Sequence, residues 1–382
     1  MGRIEKIKDF VIFKDDNYNT FPNAIKRKDG TIMVGFRQAP DWQKKNTGIS
    51  GRNFKGVTHI DAASRAVFVT SRDEGATWDT EVKLIYDDFL YGVQDPCLNM
   101  LDDGTIFCTF FMWKAFSKDD IGEILPGDII FGERWVGRRD KAYSIRSFDG
   151  GKTWDEPVAI EYPGCLPLAI RGNIAIPGDN SILLAAYETN NANKTSKVVV
   201  LQTFDLGRTW TKISVVPSVP GYGFYEPNLY RTGSGKLVMF IRSHLIEERS
   251  VYDPGNIKAS PLFTSESLDD GKTWSTPAAR NFYSPSPFHP LRLKSGNVLV
   301  TYGYRYRPFG LRAFLLDGEC SNFEQAEDIV LRDDGLGTDI GYTSSVLLDN
   351  GDVLITYYYY DEEGGTRYIA GTTCRETVGE KL

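Results

Sequence analysis

The chain has 382 residues and a net charge of −7 at pH 7, with 41% hydrophobic and 13% aromatic residues. That length builds a substantial core, the negative balance speaks against a nucleic-acid partner, and no apolar run reaches bilayer length, so no membrane partner is expected. Five cysteines (Cys97, Cys108, Cys165, Cys320 and Cys374) lack metal-ligand spacing; with no apolar stretch in MGRIEKIKDFVIF to suggest a signal peptide, a reducing, cytoplasmic setting is expected.

In chain order, a turn followed by an apolar run of strand length occurs six times. The runs are DGTIMVGF (29–36), DGTIFCTFF (103–111), DNSILLAAYE (179–188), SGKLVMFIRS (234–243), SGNVLVTYGY (295–304) and NGDVLITYYYY (350–360). They are rich in Val, Ile, Phe and Tyr and bounded by turn residues, which predicts strands. A shorter strand precedes each turn: PNAIKR, PCLNML, GNIAIP, PNLYRT, HPLRLK and TSSVLL. Each pair reads as a hairpin.

A second repeat follows four of the hairpins: SRDEGATW (71–78), SFDGGKTW (147–154), TFDLGRTW (203–210) and SLDDGKTW (267–274). The shared pattern is [ST]-x-D-x-G-x-T-W. Its hydroxyl and carboxylate can accept bonds from nearby backbone N–H groups, its Gly permits positive φ, and its Trp offers a large ring for burial between units. LLDGECSNFE (315–324) reads as a decayed copy, and the sixth unit ends in RYIAGTTCRE without one. A recurring supersecondary unit of this size indicates a repeat architecture. Six units predict an all-β fold, a six-bladed β-propeller with four-stranded blades, forming one domain over 1–382. The N-terminal FVIF is expected to complete the last blade. Segments 38–63 and 112–141 are expected to be long insertions that wall the central site.

The octapeptide resembles the Asp-box, or BNR repeat, of the sialidase superfamily. The motif speaks for architecture, and activity must be argued from other residues. The residue nine before each turn Gly, or before Asn180 in the third unit, is Phe21, Asp95, Arg171, Glu226, Pro287 and Tyr342. This position should open each inner strand at the axial mouth. Polar groups converging there are the default candidate site.

The resemblance then sharpens. YEPNLYRTGSGKLVMFIRS (225–243) resembles the fourth-blade segment of sialidases, and GYTSSVLLDNGDVLITYYY (341–359) the sixth. It implies Tyr342 as nucleophile, Glu226 as its base and Arg242 as a substrate-binding arginine. A phenol is a weak nucleophile until a neighbouring carboxylate takes its proton, and a neutral nucleophile avoids repulsion from an anionic sugar. Arg312 resembles the fifth-blade arginine, with Arg305 and Arg307 competing for that place. The first-blade F-R-I-P segment is replaced by FPNA at 21–24, so one family arginine is missing. Arg37 is the candidate to compensate. The general acid of the family maps to Asp61, with His59 two residues earlier as an alternative and Asp41 behind them. Asp95, Arg171 and His289 are further substrate-binding candidates.

These residues imply an exo-acting, retaining glycoside hydrolase acting on a terminal anionic sugar, with a carbohydrate as its partner. No cofactor or metal is expected, since His59, His244 and His289 lack paired spacing. Two other readings stay open: a propeller lyase acting on uronates, and a non-catalytic carbohydrate-binding propeller. The latter predicts that Tyr342 and Glu226 are not in contact. The sugar, its linkage and the oligomeric state have no signature in the sequence.

Overall fold

A computed structural model describes residues 2–42, 59–125, 127–131, 134–190, 195–247 and 252–377. Among these residues, twenty-five strands form six antiparallel sheets, arranged as the blades of a six-bladed β-propeller. Blade one runs Asn17–Lys26, Ile32–Pro40, Arg65–Ser71 and Lys83–Tyr86. Blade four, its equivalent across the ring, runs Tyr222–Arg231, Leu237–Leu245, Pro261–Ser267 and Ala278–Tyr283.

The second strands are buried along almost their whole length, as in Ile32–Pro40 and Val353–Tyr359. Each lies in a sheet covered on both faces by neighbouring blades, so it reads as a continuous apolar run rather than an alternating one. The ring is closed by non-sequential pairing. Arg3–Phe13 adds to Tyr368–Thr377 as the outer strand of blade six, with Val11 opposite Ala370 and Phe13 opposite Ile369. Without it, blade six would present an unpaired edge.

The Asp-boxes lie between the third and fourth strands and fasten each blade to the one before it. In the third box, Thr203 Oγ1 donates to Asp205 at 2.7 Å and accepts from Gly207 N at 3.0 Å. Asp205 also accepts from Thr209 N at 2.9 Å, and Trp210 Nε1 donates to Gly207 O at 3.1 Å. Gly207 has φ +79°, and a Cβ there would stand 2.8 Å from Ser144 Oγ and 3.0 Å from the Phe107 ring, both in blade two. The decayed copy keeps part of this turn: Asp317 accepts from Ser321 N at 3.1 Å and from Ser321 Oγ at 2.6 Å.

Asparagines at the inner strands make a second set of ties. Leu98 N donates to Asn23 Oδ1 at 2.9 Å, Ile174 N to Asn99 Oδ1 at 3.0 Å, and Asn173 N to Asn228 Oδ1 at 3.0 Å.

Two expectations need correction. GNIAIP is not a strand: the inner strand of blade three is only Leu168–Ala169, followed by a bridge between Ala175 and Leu183. Here the backbone leaves its own hairpin to sit against blade four, where a Cβ on Gly172 would lie 2.4 Å from Pro227 O. The segment 112–141 is not a strand-free loop either. Its arms prolong Ile106–Ser117 and Trp135–Ser147, paired out to Ser117 with Trp135, and Ile129–Phe131 adds alongside. Of the other insertion, residues 43–58 lie outside those described.

Candidate active site

Four inner strands break register near the axis: between Thr20 and Asn23, Gln94 and Cys97, Tyr225 and Asn228, and Gly341 and Ser344. The residue that opens each break has positive φ: Phe21 (56°), Asp95 (48°), Glu226 (45°) and Tyr342 (54°). These are four of the six residues that the repeat comparison aligned. A bulge re-aims a side chain and leaves one residue out of the ladder. Pro22, Pro96 and Pro227 follow three of them, where no N–H is needed. Positive φ in a non-glycine residue costs about 1–2 kcal/mol, offset here by the contacts it permits.

Those contacts are made at the axis. The Tyr342 hydroxyl donates to Glu226 Oε1. Arg242 Nη1 donates to Glu226 Oε2 at 2.7 Å and to the Tyr342 oxygen at 3.2 Å. The Phe21 ring lies 4.6 Å from that of Tyr342. Burial works against ionisation of Glu226, but the Arg242 charge and the bonds from Arg242 and Tyr342 outweigh it and bring the carboxyl below its ordinary range. Burial, then the Glu226 charge, pushes the Tyr342 phenol well up. At neutral pH the pair is therefore a carboxylate accepting from a protonated phenol.

Arg305, just past the second strand of blade five, completes this side. It donates to Ile340 O at 2.9 Å and to the Tyr358 hydroxyl at 2.8 Å, and its guanidinium stands 5.1 Å from the Tyr342 ring centre. Arg312 is not part of the cluster. It belongs to the third strand, paired with Tyr302 and Val330, and its guanidinium lies 4.4 Å over the Tyr304 ring. That strand stands two away from the axis, too far out to face Glu226. Arg307 rests over Phe309 at 5.2 Å.

Arg171 crosses the axis from blade three, but its donors are already engaged. They reach Phe21 O at 3.3 Å, Pro22 O at 2.7 Å and Tyr342 O at 3.1 Å. It acts as a brace that holds two of the bulges. His289 sits on the same inner layer, with Nε2 3.2 Å from Asn173 Nδ2; burial and the Arg171 charge bring it down to about 3, so it is neutral.

Two buried groups have spare capacity. Arg37 is wholly enclosed and none of its three nitrogens has a hydrogen-bond partner among the described residues. Burial brings it below its ordinary value, opposed first by the charge of Asp61. Asp95 is 3% exposed with Oδ1 unpartnered. Burial, opposed by Arg171 and reinforced by Glu226, pushes its carboxyl up to about 7.

The two expected acids stand nearby in different settings. Asp61 accepts from Trp42 Nε1 at 2.7 Å and from Ala63 N at 2.8 Å, so it also shapes the local turn. His59 is partly exposed, with its ring 5.1 Å from Phe21 and Nε2 3.2 Å from Asp339. Asp41 bonds to Thr366 at 3.0 Å.

Asp339 was not singled out from the sequence. It gathers His59, the Tyr18 hydroxyl, the Tyr358 hydroxyl at 2.9 Å and Arg367 at 3.0 Å. Burial opposes its ionisation, yet the His59 bond and charge, then Arg367 and Tyr18, hold it far below the usual carboxylate range. It occupies no repeat position, so only its place three residues before Tyr342 hinted at it.

The profile of the BNR repeat-like domain matches residues 129–355. No curated protein matches the chain by sequence. Among solved structures, a protein of unknown function from Dyadobacter fermentans is 32% identical, with TM-score 0.84, covering 98% of this chain and 99% of the other. The NanB sialidase from Streptococcus pneumoniae is 12% identical, with TM-score 0.63 over 96% of this chain and 70% of that one. An alpha-L-arabinanase from Penicillium chrysogenum is 13% identical, with TM-score 0.61 over 96% and 98%. The latter two show a shared fold. The match over residues 129–355, more than half of the chain, with the repeated boxes that the ring carries, places this chain in the BNR repeat-like family.

Proposed function

We propose that this protein is an exo-acting, retaining glycoside hydrolase for a terminal anionic sugar. The observation that carries the reading is the hydrogen bond from the Tyr342 hydroxyl to Glu226, with Arg242 bridging both. In this scheme the Tyr342 oxygen attacks the anomeric carbon while its proton passes to Glu226. The leaving oxygen takes a proton from the acid, and the glycosidic bond breaks. Water then attacks the anomeric carbon of the glycosyl-tyrosine and gives its proton to the acid site, while the bond to Tyr342 breaks and Glu226 returns its proton to the departing phenol oxygen.

Arg242 has two tasks. It lowers Glu226 enough to keep it a ready acceptor, and it stabilises negative charge growing on the phenol oxygen. The charges of Arg37, Arg242 and Arg305 draw a substrate carboxylate, and Arg242 presents the guanidinium fork suited to it; Arg305 already donates to Ile340 O and Tyr358. Asp95, protonated below about pH 7, donates to a sugar oxygen. His59, oriented by Asp339, and Asp61 are the two candidates for the acid.

The contact between Tyr342 and Glu226 speaks against the purely binding propeller, which needed no such pair. The test is a panel of aryl glycosides of sialic, glucuronic and neutral sugars. Release from one anionic sugar with net retention supports the hydrolase. Product absorbing near ~230 nm, without uptake of water, turns the assignment to a lyase.

A further inference from the structure

Arg139 is not used by the scheme above, and three aromatic rings surround it. It lies on the third strand of blade two, inside the extended hairpin. Its guanidinium carbon stands 4.9 Å from the Trp113 ring centre, 5.3 Å from Phe111 and 5.6 Å from Tyr187. Nε is buried without a hydrogen-bond partner among the described residues. Burial brings the group below its ordinary value. By contrast, Arg242 is paired with Glu226, Arg171 with three carbonyls, and Arg146 with Asp155 at 2.6 Å.

A cation held among three aromatic faces, without a carboxylate partner among the described residues, gains cation–π attraction but keeps part of the cost of desolvation. The arrangement is explained if an oxyanion enters from solvent to complete it, because Arg139 is only partly buried. The cage also joins the candidate active site. Tyr187 meets Tyr225 edge-on at 5.6 Å, and Tyr225 stacks on His244 at 4.4 Å. His244 follows Arg242 by two residues, and the Tyr187 phenol feels the charges of Glu226, Asp95 and Arg242. An aromatic wall therefore runs from the Glu226–Arg242 pair to Arg139.

We infer that Arg139, with Trp113 and Tyr187, forms a second oxyanion subsite, which takes a carboxylate or sulfate group of the ligand distinct from the one offered to Arg37, Arg242 and Arg305. The ligand class is then a dianionic glycan. The inference rests on the proposed function only in seating the first sugar beside Tyr342.

Two measurements test it. Crystals of the full chain soaked in selenate should show an anomalous peak within hydrogen-bonding distance of the Arg139 Nη atoms, present in Tyr342→Phe and absent in Arg139→Gln. In solution, matched disaccharides with and without one sulfate should be separated by wild type. Arg139→Gln should lose about tenfold or more in affinity for the sulfated one while changing the other less than about twofold. A carboxylate-for-sulfate disaccharide pair tells which oxyanion is preferred. Thermal unfolding of Arg139→Gln should stay level or rise, since a partly buried cation without an ion partner among the described residues is removed; a clear fall would indicate a structural role and overturn the subsite. Absence of selenate at Arg139, or equal losses for both disaccharides, overturns the subsite. Loss of the hydrolase reading would show only as unaltered turnover in Tyr342→Phe and would leave the selenate result untouched.

Discussion

Tyr342 and Glu226 lie 116 residues apart, yet the phenol of one donates to the carboxylate of the other, and both hold positive φ at the equivalent break of their inner strands. The contact follows from repetition. The same bulge, formed in different blades of one ring, turns two different side chains toward a common axis.

Replacing Glu226 by Gln leaves Arg242 as a buried charge without its partner. Breaking one side of such a pair costs about 3–5 kcal/mol. Chemical denaturation should show a loss of that order, and turnover should fall by about two to four powers of ten. Arg242→Met added to Glu226→Gln should restore part of the stability and none of the turnover.

Asp95 sets a pH dependence of known sign. Its folded value of about 7 is above its unfolded value, so the folded state is favoured below about pH 4 and loses this contribution as pH rises through 7. Asp95→Asn removes that loss. The variant should gain on the order of 4 kcal/mol over wild type at pH 8, and the difference should vanish near pH 4. Urea titrations across this range check it. Anion affinity should also fall in wild type above pH 7, less so in Asp95→Asn.

His289 acts in the opposite direction. Its folded value of about 3 is below the unfolded one, so its contribution is complete above about pH 6.5 and is lost as pH falls toward 3. Thermal unfolding from pH 7 to pH 4 should therefore decline more steeply in wild type than in His289→Gln. Parallel curves would assign the acid loss to other groups.

The acid can be identified through the leaving group. An enzyme without its general acid still cleaves aryl glycosides whose leaving group needs no proton, but fails with alkyl ones. His59→Gln and Asp61→Asn should differ in this ratio. The variant that keeps nitrophenyl release while losing alkyl release by about a hundredfold or more names the acid.

Much of the architecture was legible because it is repeated. Six turn-plus-strand units and four boxes predict the ring, and FVIF was placed correctly in the last blade because a closed propeller needs a strand there. The repeat position also singled out Asp95, Glu226 and Tyr342, since one backbone break recurs at each. What escaped was non-repeated. GNIAIP has the composition of a strand but is drawn onto blade four by Gly172 and Asn173. The hairpin arms of 112–141 carry Trp, Arg and Gly that read as loop, though tertiary pairing makes them strands. Arg312 resembles the family arginine through its place before the decayed box, whereas strand order puts it two strands out from the inner strand. Asp339 and Arg139 draw their setting from residues brought together only by the ring.

The most direct measurement is hydrolysis of the preferred anionic aryl glycoside by wild type and Tyr342→Phe, with unfolding of both proteins followed in parallel. The account predicts release by wild type and a loss of about a thousandfold or more in the variant, at nearly equal stability. Equal rates in the two proteins would contradict it, because a ring without the phenol oxygen cannot form the glycosyl-tyrosine.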